Sequence, residues 1–150
     1  MLPVKVEITT RLAAPPIEVW AGISNLGGVN REMGPWLRMT APEGKDLADA
    51  AGGEVLPLRL HGPLGVPLGT YPLRLVRIEE GTGFLEQTWM LPFLLWQHER
   101  TIAPDAGGTA ITDRLGWRWR APRLDRVVGI AVGRFFRHRH RELVRRFGRR

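Results

Sequence analysis

In residues 94–103 the even positions carry Leu94, Trp96, His98, Arg100 and Ile102, and in residues 109–120 the odd positions carry Ile111, Asp113, Leu115, Trp117 and Trp119. Side chains alternate faces along a strand, so each set shares one side, and both sides are otherwise apolar. Pairing across the intervening turn points Arg100 and Asp113 into one interior, where an ionised carboxylate needs a cationic or hydrogen-bonding partner. Arg139 is a second candidate partner, because it continues an apolar helical stripe from Phe135 to Leu143. Two chemistries fit these residues. In one, His98, Arg100, Asp113 and Arg139 form a polar anchor or acid/base group beside a cavity, with His98 or Asp113 moving protons. In the other, Arg100, Asp113 and Arg139 form a buried structural ion pair.

Other chemistries lack their residues. There is no cysteine, which excludes a thiolate nucleophile, a disulfide scaffold and Cys-ligated zinc or iron–sulfur. Ser24 is the lone serine and has no nucleophile elbow around it. His138 and His140 are two apart on a predicted helix and cannot converge on one metal; His61 and His98 have no ligand-spaced neighbours and read as solvated or singly bonded. The glycines form neither a phosphate loop nor a dinucleotide fingerprint, so no cofactor and no metal are expected.

The elements that must position the candidates follow from period and punctuation. The chain has 150 residues, 43% of them hydrophobic, enough for a single domain over 1–150 with one core. Residues 4–12 alternate, with Val4, Val6, Ile8 and Leu12 on one side, and read as a strand. Pro15 and Pro16 open a short helix whose Ile17, Trp20 and Ile23 share a face and which Gly27-Gly28 ends; a second short helix follows from Val29, then a strand over 36–40. Strands are expected over 55–61, 70–79, 84–91, 94–103 and 109–120, joined by glycine-bearing turns into an antiparallel meander. The connection 62–69 is apolar yet broken by proline and glycine, and reads as neither helix nor central strand. The last 25 or so residues predict the longest helix, with Leu124, Val128, Ala131, Phe135, Arg139, Leu143 and Phe147 on one face.

Charge is concentrated there. Lys and Arg exceed Asp and Glu by seven, and eleven of the 20 arginines lie between Arg120 and Arg150. Arg134, Arg137, Arg141, Arg145, Arg149 and Arg150 fall on the outer sides of the last helix, a basic stripe able to meet a polyanion; no base-reading motif accompanies it, so no specific nucleic acid is expected. No stretch is long and apolar enough for a membrane span, and the start lacks a signal-peptide pattern, which points to a cytoplasmic location.

The order strand, two short helices, antiparallel strands and long final helix resembles the helix-grip arrangement. Ala14-Pro-Pro-Ile-Glu-Val-Trp20, Trp96-Gln-His-Glu-Arg100, Gly108-Thr-Ala-Ile-Thr-Asp-Arg114 and Phe135-Phe-Arg-His-Arg-His-Arg-Glu-Leu143 look like the pattern of the SRPBCC superfamily. That superfamily comprises START and polyketide cyclase/dehydrase-like proteins related to the major pollen allergens, and the likeness is greatest to its uncharacterised bacterial members. The resemblance implies an α+β fold in which a curved antiparallel sheet wraps the C-terminal helix around a hydrophobic cavity. It names no ligand.

Gln87, Trp89, Trp96, His98, Trp117, Phe135 and Arg139 are the candidate lining, with aromatic walls suited to a hydrophobic small molecule or lipid and His98 and Arg139 as polar anchors. Leu64, Val66 and Leu68 of the 62–69 segment are the candidate rim. Three functions stand at this point: binding of such a ligand, a cyclase or dehydratase acting through His98 or Asp113, and a surface module acting through the basic helix. Sequence leaves oligomeric state open.

Overall fold

The computed structural model describes residues 1–91 and 94–150. Strand β1 (Val6–Leu12) leads to α1 (Pro16–Ile23), α2 (Leu26–Met33) and the short β2 (Arg38–Thr40). Strands β3 (Val55–His61), β4 (Pro67–Glu79), β5 (Gly83–Leu91), β6 (Leu94–Asp105) and β7 (Gly108–Trp119) form the meander, and α3 (Asp125–Phe147) closes the chain. The sheet order is β1-β7-β6-β5-β4-β3-β2, antiparallel throughout, with the first strand returning to pair with the last. Three register shifts, at Leu60/His61, Leu75/Arg77 and Trp89/Leu91, add the local twist that bends such a sheet. This is the expected helix-grip α+β architecture, with α3 lying across the concave face.

The β6–β7 hairpin turns on Ala106 and Gly107, both at positive φ, and its register sets Arg100 opposite Asp113 and Trp96 opposite Trp117. The interior is layered along these strands. Ile102, Ile111 and Leu143 join Leu12, Val19 and Ile23 in one apolar cluster; Trp96, Leu115, Trp117 and Phe136 belong to a second. Between the clusters, at the same level on β6, β7 and α3, lie the buried Arg100, Asp113, Arg139 and His140.

Several boundaries differ from the sequence expectation. Gly27 and Gly28 do not end α1 but lie in the first turn of α2, because Asn25 caps that helix, its Oδ1 accepting from Gly28 N at 2.8 Å. Gly28 then packs directly on α1: a Cβ there would sit 2.0 Å from the Gly22 carbonyl oxygen. The buried face of α1 is Val19, Gly22 and Ile23, and Ile17 is 80% exposed. In α3 the deeply buried residues are Gly133, Phe136, Arg139, His140 and Leu143; of the expected stripe, Val128, Ala131, Phe135 and Arg139 face the cavity and Leu143 is buried, while Leu124 precedes the helix and is exposed. The 62–69 segment is a 3-10 turn at Pro63–Gly65 followed directly by β4, since Pro67 can start a strand without giving up a ladder donor that matters.

Candidate functional site

Asp113 is fully buried and accepts four hydrogen bonds. Arg100 donates in bidentate fashion, Nε to Oδ1 and Nη2 to Oδ2, both at 2.7 Å. His98 Nε2 donates to Oδ1 at 2.7 Å and His140 Nε2 to Oδ2 at 2.8 Å, since an ionised carboxylate can only accept. His140 is held in that tautomer by Thr10, whose hydroxyl lies 2.8 Å from Nδ1. Burial pushes the Asp113 carboxyl upward, and Arg100 with the two histidines more than reverses it, leaving it well below the usual aspartate range.

The other side of Arg100 meets Glu32, a buried residue of α2, through Nη1 at 3.0 Å and Nη2 at 2.9 Å. Arg139 pairs with the same carboxylate, Nε at 3.2 Å and Nη2 at 3.0 Å. Asp113 is therefore paired with Arg100 and not with Arg139, and Glu32 joins the two arginines. Burial works against ionisation of Glu32, but the guanidiniums of Arg100 and Arg139 outweigh it and hold the carboxyl below its ordinary value.

Beside this network lies a cavity of about 340 Å³ between the sheet and α3. Its walls are apolar over most of their extent, with Met33, Leu58, Leu73, Trp96, Trp117 and Phe136 among them. Trp96 and Trp117 stack at 6.3 Å with their planes 12° apart, and Phe136 leans on Trp96 at 6.0 Å. His98 is gripped edge-on by Phe84 and Phe136, at 5.2 and 5.1 Å, so its ring cannot turn without displacing a neighbour. Glu86 also faces in; its Oε2 accepts from Thr88 at 2.8 Å and from the Tyr71 hydroxyl. Burial, then the Glu86 carboxylate beside it, drives the Tyr71 phenol well above its ordinary value.

Of the residues expected to line the cavity, Trp96, His98, Trp117, Phe135 and Arg139 do so. Gln87 and Trp89 do not. Gln87 donates to Gln97 on the outer side of the sheet and Trp89 is 57% exposed. Register decides this: Phe84, Glu86 and Thr88 pair opposite Arg100, His98 and Trp96, so the even residues of β5 share the concave face. His98, expected to be singly bonded or solvated, is instead buried between Asp113 and Glu86. The 62–69 segment is not the rim of this cavity. Gly62, Leu64 and Gly65 border an adjoining open groove of about 780 Å³ between α2 and β2–β3, and Leu37 touches both spaces. Glu32, Glu86, Tyr71 and His140 escaped the sequence reading; a glutamate inside an otherwise weakly apolar strand face was the available signal for Glu86.

Among the described residues no group of three His, Cys, Asp or Glu side chains is placed to hold a metal ion, and no helix is long and apolar enough to cross a membrane. Arg134, Arg137, Arg141 and Arg145 are exposed on α3; Arg149 and Arg150 lie beyond its end, where Arg149 bridges to Leu12.

The family model described as "Domain of unknown function (DUF8410)" matches residues 10–147. The chain belongs to DUF8410. No curated protein matches it. Among solved structures, this DUF8410 chain is similar to a protein from Chromobacterium violaceum, with 12% identity, 97% of each chain covered and a TM-score of 0.70. It is also similar to a START superfamily protein from Mycobacterium smegmatis, at 16% identity, 95% of each chain and a TM-score of 0.69. The KanY protein gives 12% identity over 98% of each chain with a TM-score of 0.69. At these identities the likeness is one of fold: this chain has the helix-grip arrangement that its resemblance to the SRPBCC superfamily implied.

Proposed function

We propose that the protein binds a hydrophobic small molecule or lipid in the cavity between its sheet and α3. The observation that carries this reading is the cavity itself: about 340 Å³, walled by stacked Trp96 and Trp117, is retained where close packing would ordinarily fill a core. The likeness in fold to a START superfamily protein supports it. Native mass spectrometry of the purified protein tests it. A co-purifying apolar adduct, lost on Trp117→Ala with the fold retained, is the expected result. A bare mass together with no uptake of added apolar compounds would defeat the reading.

A second reading, proton transfer in a cyclase- or dehydratase-type reaction, is favoured by one observation. Asp113 fixes His98 through Nε2 and leaves Nδ1 at the cavity wall, the orientation a general base requires. His98→Gln then abolishes turnover of a bound substrate while leaving its affinity in place, whereas in a carrier it changes affinity alone.

A further inference from the structure

Among the described residues, two cavity-wall atoms have no internal partner within hydrogen-bond reach. Glu86 Oε2 is engaged by Tyr71 and Thr88, but among the described residues no donor reaches Oε1, whose neighbour is His98 Nδ1 at 3.9 Å, beyond hydrogen-bond reach. His98 commits its Nε2 proton to Asp113, and in that tautomer Nδ1 is an acceptor. Both residues are more than nine-tenths buried and both line the cavity. Two acceptors therefore face one apolar space, close enough for a single heavy atom to bond to both.

The surrounding charge has the same sense. The buried carboxylates of Glu32, Glu86 and Asp113 outnumber the guanidiniums of Arg100 and Arg139. Arg100 has every nitrogen engaged by Asp113 or Glu32, and Arg139 spends Nε and Nη2 on Glu32. An anionic head group seated at Glu86 and His98 would add a charge beside the Glu86 carboxylate and would leave both acceptors unmet. A group that donates hydrogen bonds satisfies them, and a cationic one also balances the excess carboxylate.

We infer that the cavity selects apolar molecules whose polar end is a hydrogen-bond donor, an amine or alcohol, seated between Glu86 Oε1 and His98 Nδ1, and discriminates against carboxylic acids. This rests on the cavity-binding reading above. At roughly 30 Å³ for each non-hydrogen atom, the space holds a ligand of on the order of ten such atoms, the size of an eight-carbon chain with its head group.

The test is calorimetric titration of the wild-type protein with octylamine, octanol, octyl methyl ether and octanoate, which share a chain and differ in the head. Octylamine and octanol should bind about tenfold tighter or more than the ether, which cannot donate, and than the acid. Glu86→Gln keeps an acceptor for Tyr71 and removes the charge, and should erase most of the margin of octylamine over octanoate. If the ether matches the alcohol, or octanoate binds as well as the donors, the inference fails while the cavity-binding reading stands. If none of the four binds, both fail. Should the variant not fold, the wild-type series alone decides.

Discussion

Asp113 is the residue on which most of the buried polar layer converges, and its removal strands Arg100 without its bidentate partner. Asp113→Ala should lower stability by about 3–5 kcal/mol, the usual consequence of orphaning a buried charge, measured by urea unfolding at neutral pH. Because its folded-state carboxyl lies well below the ordinary 3.8, its ionised contribution is complete above that value and drains as pH falls through the lower, folded-state range. The gap between wild type and variant should therefore hold from pH 7 to 5 and shrink below about 4. Tyr71 offers an independent check, since it is the one tyrosine of the chain. No tyrosinate absorbance should appear at its ordinary value of 10.0, and the signal should emerge only well above it or together with unfolding. Titration beginning at the ordinary value would show Tyr71 free of Glu86. Arg100 and Asp113 were legible in the sequence because parity along two strands joined by a short turn fixes their common face. Glu32 and His140 were not, because a helix's rotation about its axis is set by what it packs on. Glu86 was hidden for another reason: placing polar groups on a concave face makes that face read as the outer one.

Among the elements, β5 shows this most clearly. Leu85, Gln87 and Trp89 look like the inward set, yet pairing with β6 turns Phe84, Glu86 and Thr88 inward. The strands themselves were legible: the sequence boundaries of β3 coincide with those found, and those of β5, β6 and β7 fall within two residues, because glycine and proline punctuate the meander. Helix ends were less so. The break between α1 and α2 falls at Ser24 and Asn25, where a capping side chain outweighs two glycines that sequence alone reads as a stop. Those glycines have a packing role that local pattern does not reveal. Gly28→Ala should force α1 and α2 apart and cost about 1–3 kcal/mol, as overpacking does, read as a lowered urea midpoint. A neutral effect would mean the helices part freely. Both helices contribute to the cavity wall through Ile23, Val29 and Met33, so the same substitution should also weaken ligand uptake.

Over the whole molecule, the positive charge is asymmetric, with Arg134, Arg137, Arg141 and Arg145 of α3 exposed. Exposed arginines without groups that read bases supply only the nonspecific electrostatic attraction. Fluorescence anisotropy with two DNA duplexes of unrelated sequence should give equal, weak binding that fades as salt is raised toward physiological strength. Tight binding of one sequence at that strength would make the basic helix a functional surface. The layer of Glu32, Arg100, Asp113, Arg139 and His140 has a different kind of consequence. It acts as a bulkhead. On one side a filled compartment anchors both chain ends, through Leu12 and Leu143 and the bridge of Leu12 to Arg149; on the other lies the hollow. Away from Trp20 and Ile23, which border both compartments, changes of side-chain size in the hollow alter an existing void and do not jam a filled core, so they disturb the anchoring compartment little. The molecule can thus change the shape of what it accommodates without renegotiating how it folds, and variation across relatives should gather on the hollow side of that wall.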